Sequence, residues 1–278
     1  MALTTMAGLK AAMPGKYWPL AYTAANAGRG SGVFHSLWLS NAASTSWAPG
    51  SYPGASLAWS VLDRTTTGAF PFDNPTGGNL SYLARALAWR GGNGGTLTLY
   101  DRLATTGAIT PAASTQTLTG GPTLTRPDAL GGEVECWIES ITASTSTASN
   151  YSIRYVDQDG NASETSPVIP ATIISTVGMM QRFNLNAGDT GVRSVDQFIS
   201  TGASGGTAQL VLMRRIAEFP VRDNTVTSSA LTAPAATNDF LETGLATIPN
   251  DACLAFVWLP AISGGAPSWG GSMNIVQA

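Results

Sequence analysis

Apolar and polar residues alternate with a period of two over much of the chain, which is the pattern of half-buried β-strands. In one such run, Cys136 and Ile138 alternate with Glu135 and Trp137. Segments rich in Gly, Pro, Asn and Asp separate these runs and mark turns. Strands are predicted at 33–39, 57–62, 81–90, 96–100, 114–119, 134–140, 151–156, 162–165, 171–176, 180–186, 192–200, 207–219 and 253–259.

Two pairs of these strands have the turn chemistry of hairpins. Residues 81–90 and 96–100 enclose a five-residue Gly/Asn segment, which predicts a hairpin. A helix over 80–90 is the alternative, because SYLARALAWR contains good helix formers. Residues 151–156 and 162–165 flank an Asp-Gly turn and predict a second hairpin.

The two ends of the chain differ from its middle. An apolar stripe at helical spacing ends at Pro14-Gly15 and consists of Leu3, Met6, Leu9 and Met13. A helix this short is marginal alone, so we expect it to pack against the body or a neighbouring subunit. Residues 15–32 are rich in Gly and Ala and predict an extended arm, whereas CLAFVWL at 253–259 predicts a strand that returns to the body or to a partner.

These elements predict an all-β fold: an antiparallel β-sandwich or jelly-roll-like body with an extended N-terminal arm and a returning C-terminal strand. We expect three segments along the chain. They are a helix and arm at 1–32, the β body at 33–220 with a division into two subdomains near 104–132, and a surface excursion with the C-terminal strand at 221–278.

Composition narrows the classes of function. Only 11% of the 278 residues are charged, against roughly a quarter in an ordinary soluble domain, and the net charge is -3. A basic nucleic-acid-binding protein is therefore excluded. No apolar run reaches the ~18 residues of a membrane span, and the start lacks the basic region of a secretion signal, so we expect a cytoplasmic product that is not cleaved. Arg outnumbers Lys by twelve to two, which favours planar contacts at interfaces.

The classical catalytic residues are sparse. His35 is the only histidine, lies within a strand pattern and is interpreted as structural. Cys136 and Cys253 are the only cysteines, and their apolar surroundings predict buried free thiols, with a disulfide as the alternative. These residues are too few for a metal site, and the sequence predicts no cofactor and no enzymatic activity.

One strand pattern is compatible with carboxylate chemistry. Glu133, Glu135 and Glu139 have the even spacing that places side chains on one strand face, and paired carboxylates can hydrolyse glycosides. Acidic residues on such a face are more often simply solvated, which is the interpretation we prefer. Trp137 lies between two of these glutamates and is therefore predicted to be exposed, where it could stack on a sugar.

A second acidic pattern lies in the turn of the 151–165 hairpin. Asp157, Asp159 and Asn161 alternate beside Gly160, as in a calcium loop. The twelfth position of such a loop requires Glu, and here it is Val168, so a hairpin turn explains the pattern better. A weak surface cation is the alternative.

Several segments resemble a group of virion structural proteins of tailed bacteriophages. They are GTLTLYDRL at 95–103, LNAGDTGVRSVDQFIST at 185–201, TAQLVLMRR at 207–215 and, upstream, DRTTTGAFPFDNPTGGNLSYLA at 63–84. The group is a capsid-associated, decoration or tail-associated set of β-sandwich proteins, and the resemblance carries no catalytic residues to this chain.

The resemblance implies a non-enzymatic virion protein that is made in the host bacterial cytoplasm and assembled into the particle. A capsid decoration or cement role is the first hypothesis, with a tail, collar or fibre component, or a carbohydrate-binding adhesion module, as alternatives. The expected partners are the major capsid protein or other virion proteins and further copies of this chain, with a trimer among the options, but neither nucleic acid nor membrane. Candidate interface residues are Leu3, Met6, Leu9, Met13, Trp18, Phe256 and Trp258.

Overall fold

The fold of the chain is built from β-strands. A computed structural model describes residues 8, 16–19, 22–23, 31–39, 48, 50–52, 54–90, 94–126, 131–144, 149–171, 176–223, 236–238, 245–261 and 268–278. The strands in these residues are Lys16–Pro19 (β1), Tyr22–Thr23 (β2), Phe34–Ser36 (β3), Trp59–Val61 (β4), Ser81–Arg90 (β5), Gly95–Thr106 (β6), Ser114–Thr117 (β7), Val134–Thr142 (β8), Asn150–Asp157 (β9), Glu164–Thr165 (β10), Ile169–Pro170 (β11), Met179–Arg182 (β12), Val192–Ser200 (β13), Thr207–Asp223 (β14), Ala236–Asn238 (β15), Thr247–Ile248 (β16), Leu254–Pro260 (β17) and Ser268–Gln277 (β18). The predicted all-β class is confirmed.

Six strands close into a barrel. β6 pairs with β14, β14 with β8, β8 with β12, β12 with β3, β3 with β17, and β17 returns to β6, all antiparallel. Each of the six strands contributes to one apolar cluster that fills the interior, as expected for a barrel this small. The cluster consists of Phe34, Tyr100, Trp137, Met180, Val211, Met213 and Val257.

A five-stranded sheet covers one outer face of the barrel. Its order is β10-β9-β13-β7, with β11 also paired to β9. Both faces of β8 and of the first half of β14 are therefore buried, one inside the barrel and the other against this sheet. The core between the two layers includes Cys136, Ile138, Leu210 and Leu212 from the barrel and Ile153, Val195 and Phe198 from the sheet.

A second layer extends from the barrel around β5 and β18. β18 pairs antiparallel with β5 and β1, and β5 meets the end of β14 in a short parallel contact. The core beneath this layer combines side chains of six strands, including Leu83, Ala86, Leu97, Leu99, Phe219, Ile248, Phe256, Trp258 and Met273. The N-terminal arm segment β1 is thus paired with the C-terminal strand of its own chain.

The predicted hairpin of residues 81–90 and 96–100 is wrong in its pairing, although both strands are present. β5 pairs with β18, β15, β16 and the end of β14, whereas β6 pairs with β14, β17 and β4. Leu83 of β5 and Leu97 and Leu99 of β6 lie in the same core, so the two strands face one another through their side chains. The alternative helix over 80–90 is also excluded. The second predicted hairpin is confirmed, because Glu164 of β10 lies opposite Tyr155 of β9.

The expected segment boundary at residue 220 does not divide the structure. β14 runs across this position as one strand, and β17 closes the barrel between β3 and β6. The expectation that residues 253–259 return to the body is therefore correct. The predicted N-terminal helix, apart from Gly8, lies outside the described residues, as do the central residues of the strand predicted at 171–176.

Candidate functional site

An open cleft of about 500 Å³ lies at the mouth of the barrel, where β8 begins and β12 ends. Because barrel mouths are common positions for ligand sites, the cleft is the candidate functional site. Its charged lining residues are Glu133, Glu135, Arg182, Asp189 and Arg215.

Close approach of two glycines shapes the wall of the cleft. The backbones at Gly131 and Gly191 are so near that a Cβ on Gly191 would lie 2.1 Å from the carbonyl oxygen of Gly131. The amide of Glu133 donates to the carbonyl of Thr190 at 3.1 Å, which joins the start of β8 to the segment before β13. Glu133 has a φ of 60°, a left-handed conformation that is uncommon for residues other than glycine. The chain is thus turned sharply where it presents the first carboxylate.

Glu135 is the most constrained acid in the cleft. Its Oε2 accepts hydrogen bonds from the Tyr100 hydroxyl at 3.1 Å and from the Trp137 indole at 2.9 Å. Its Oε1 accepts from Arg182 at 3.0 Å. Burial and the neighbouring Glu135 carboxylate raise the pKa of Tyr100. Three donors therefore engage both oxygens of the Glu135 carboxyl group and fix its direction.

Other charges at the rim are also engaged in ion pairs. Glu133 pairs with Arg214 at 2.8 Å, and Arg215 pairs with Glu218 at 3.3 Å. These pairs are partly or largely exposed, so their net contribution to stability is small. The cleft consequently offers polar contacts of both signs, with each acid of the Glu133/Glu135 pair bound to an arginine.

The third glutamate of the predicted face lies apart from the cleft. Glu139 is four residues beyond Glu135 on β8, or about 13 Å along a strand. Its side chain is fully buried and pairs with Arg102 at 2.5 Å. Gln209 also donates to Glu139, at 2.7 Å, and the Arg102 guanidinium lies 4.7 Å from the Trp38 ring centroid. Glu139 therefore does not join Glu133 and Glu135 in the cleft.

The turn of the β9–β10 hairpin brings together a second acidic group. Ligand atoms of Asp157, Glu164 and Asp189 lie within 4.8 Å of one another. Each acid has an internal role: Asp157 accepts from the backbone and side-chain amides of Asn161 at 2.8 and 2.7 Å.

The other two acids of this group are bonded as well. The hydroxyl of Tyr155 donates to Asp189, and the Asn186 amide donates to Glu164 at 3.1 Å. Burial opposes ionisation of Asp157, but its hydrogen bonds with Asn161 and with the backbone of Asp159 lower its pKa. The contacts account for the acidic pattern as a hairpin turn, as the sequence indicated.

The prediction that Trp137 is exposed is wrong. Only 2% of its surface is accessible, because it fills the barrel interior between Phe34 and Tyr100, at ring-centroid distances of 4.9 and 6.1 Å. The flanking glutamates lie on the same face of β8: Glu135 pairs with Arg182 at the mouth of the barrel, and Glu139 pairs with the buried Arg102. A sugar therefore has no access to this ring.

The structure also corrects two of the interface candidates. Phe256 and Trp258 are 2% and 0% exposed and lie in the core beneath β5 and β18, so a partner cannot contact them. Trp18 lies in β1 opposite Met273. The remaining candidates, Leu3, Met6, Leu9 and Met13, lie outside the described residues.

The histidine and the thiols are internal. His35 is 1% exposed and its backbone pairs with Met179 and Trp258. Cys136 and Cys253 are free and buried, as predicted, and burial raises the pKa of both thiols. Neither thiol is suited to act as a nucleophile.

Sequence reasoning did not single out Arg182, Arg215 or Asp189 as cleft residues. They come from β12, β14 and the segment before β13, which are distant in sequence. The one available signal was the excess of Arg over Lys, which marked arginine as structural without locating it.

Comparisons with known proteins give no family assignment. Neither protein-family models nor curated proteins match the sequence. Among solved structures, a crystal structure of the infectious bursal disease virus VP2 subviral particle aligns at 12% identity over 95% of this chain and 82% of that chain, with a TM-score of 0.18. A structure of the infectious bursal disease virus Gt strain aligns at 11% identity over 94% of this chain and 81% of that chain, with a TM-score of 0.16. Similarity this weak carries no argument about fold or function.

In the described part of the chain, no helix has the length and apolar character needed to cross a bilayer.

Proposed function

We propose that this protein is a non-enzymatic structural component of a tailed-bacteriophage virion, and that within the particle it decorates and cements the capsid. The phage assignment is supported by the sequence segments that resemble virion proteins. Three of them coincide with elements that carry the fold: 95–103 falls in β6, 185–201 contains β13, and 207–215 is the barrel half of β14.

One observation supports the proposal that the protein is not an enzyme. Its charged side chains form ion pairs and hydrogen bonds within the protein. Glu135 is held by three donors and Glu139 by Arg102. Asp101 is bound by Arg126 at 3.1 Å and by the amide of Cys253 at 2.8 Å. A catalytic acid or base must be within reach of a substrate proton, whereas these groups are engaged in internal bonds.

The proposed mechanism is adhesion through a preformed body. The closed barrel and its two covering layers form this body. A stable interface between it and a neighbour requires about 1,200–2,000 Å² of buried surface. The low charge and the Arg bias suit surfaces that pack against protein. The apolar stripe of residues 3–13 adds a second point of attachment, so that several weak contacts combine.

The test is removal of residues 1–14 from the full chain, which leaves β1 and everything after it intact. The truncated protein should keep its circular dichroism spectrum and unfolding midpoint while its incorporation into phage particles falls. Normal incorporation would contradict the role of the N-terminal segment.

Copy number separates the two virion locations. A cement protein should be present at a copy number comparable to that of the major shell protein, as measured by quantitative mass spectrometry of purified particles. A copy number far below that of the shell protein would instead identify a tail or collar component, and complete absence from particles would overturn the proposal.

A further inference from the structure

We propose that strand β7, at one edge of the five-stranded sheet, pairs antiparallel with β7 of a second copy of this chain about a two-fold axis. This contact goes beyond the proposed function, because it assigns a specific self-association surface that also operates in solution.

The hydrogen-bond register determines which backbone groups of β7 face outward. The amide of Leu118 donates to the carbonyl of Asp196 at 2.8 Å, and Gln116 lies opposite Phe198. Because bonding alternates along an antiparallel pair, the peptide groups of Gln116 point toward β13. The N–H and C=O groups of Thr115 and Thr117 therefore point away from the sheet.

Within the described residues, these outward groups have no partner. β7 ends the order of its sheet, with β13 as its neighbour on the inner side. The side chains of Ser114, Thr115 and Thr117 are exposed, so the edge is accessible to another chain. The open stretch is short, because at Thr119 the outer side is bonded to the backbones of Leu57 and Trp59.

The two edges of this sheet differ in how they are protected. The opposite edge consists of β10 and β11, which are two residues each and carry Glu164 and Pro170, with Pro167 between them. Charge, proline and short length are the usual devices that prevent edge pairing. β7 has none of the chemical devices: its sequence, Ser-Thr-Gln-Thr, contains neither a charge nor a proline.

A second copy of β7 is the occupant that fits this edge. A two-fold axis through Gln116 places Thr115 of each copy opposite Thr117 of the other. The outward N–H and C=O groups of these residues then form four hydrogen bonds between the two copies. Thr–Thr pairs across strands are favourable, and no like charges meet. The contact is much smaller than the ~1,200 Å² of a stable interface, so the dimer is weak and concentration-dependent.

Sedimentation of the full-length protein over a range of concentrations tests the proposal. We expect a reversible monomer–dimer equilibrium and, in hydrogen exchange, protection of the Thr115 and Thr117 amides that increases with concentration. Thr117→Lys should weaken dimerisation at least tenfold, because it brings two lysines onto the paired edges. The matched control is Thr165→Lys on β10, which should leave the dimer constant unchanged.

A second variant tests whether dimerisation is lost because of the edge itself and not because the protein misfolds. Thr115→Pro removes an N–H that the sheet does not use, so it should abolish the dimer while the unfolding midpoint is kept. A protein that stays monomeric at the highest concentration would overturn the proposal, as would a dimer that survives both variants. Loss of the dimer on deleting residues 1–14 would assign the contact to the N-terminal segment instead. None of these solution results depends on whether the protein is a virion component.

Discussion

The barrel and the five-stranded sheet handle polar groups in opposite ways. The barrel has no free edges, and it buries charge: the side chains of Arg102 and Glu139 are 1% and 0% exposed. The sheet is open, and its ion pair between Arg154 and Asp196 lies on the surface at 33% and 47% exposure. Closure makes the barrel interior a place where each polar group needs an internal partner, whereas water can serve the sheet.

The same type of residue therefore contributes differently to stability in the barrel and in the five-stranded sheet. In the barrel, Gln209 and Trp38 contribute further contacts to the Arg102–Glu139 pair, so removal of one member leaves several groups unsatisfied. On the sheet, an arginine that loses its partner remains solvated. We therefore expect substitutions in the barrel to have the larger effects.

The largest effect should follow Glu139→Leu. This change leaves Arg102 buried without a counter-charge, which costs about 3–5 kcal/mol of the free energy of unfolding. Urea denaturation provides the measurement. The double variant Arg102→Met/Glu139→Leu should recover wild-type stability or exceed it, because both charges are then gone. A double variant as unstable as the single one would show that packing, not charge, is what matters here.

An intermediate effect should separate two tyrosines. Tyr100→Phe removes a donor to Glu135, which is paired with Arg182 at the barrel mouth, and should cost about 1.5–3 kcal/mol, the range for hydrogen bonds to charged groups. Tyr151→Phe removes a 2.6 Å bond to the neutral Ser204 hydroxyl and should cost about 1 kcal/mol. Thermal and urea unfolding of both variants would test this order. Equal losses in the free energy of unfolding would contradict the expected difference between the barrel and the sheet.

The smallest effect should follow substitution of Asp157, in the turn of the β9–β10 hairpin, and it depends on pH. Since the folded-state pKa of Asp157 is below its ordinary value of 3.8, its ionised form stabilises the native state above that pH. This contribution is lost as the pH falls through the folded pKa. Asp157→Asn should therefore be less stable than wild type at neutral pH, with a difference that shrinks under acid conditions. A difference that is constant with pH, measured by urea midpoints, would contradict this linkage.

Local patterns in the sequence predicted the strands better than their partners. The alternation at 134–140 and the Asp-Gly turn near residue 160 carry their own signals, and the structure has β8 and the β9–β10 hairpin there. The Gly/Asn segment before β6 is compatible both with a hairpin and with two strands facing across a core. Local sequence does not distinguish these outcomes, because the deciding partners β14, β17 and β18 lie more than a hundred residues away.

Burial on both faces explains the error at Trp137. Acidic neighbours usually mark a wet face, but here Glu135 pairs with Arg182 at the mouth of the barrel, and Glu139 pairs with the buried Arg102. The identity of those arginines as partners depends on the closure of six strands from separate parts of the sequence. The cleft at the barrel mouth was unpredictable for the same reason.

β14 connects the layers by covalent backbone. Its first half pairs with β8 within the barrel, its second half continues along β6, and its last residues meet β5. Mechanical load applied to the layer around β5 and β18 is thus transmitted along this strand to the layer on the far side. A protein with this build resists shear between its layers, because the same strand is hydrogen-bonded into both.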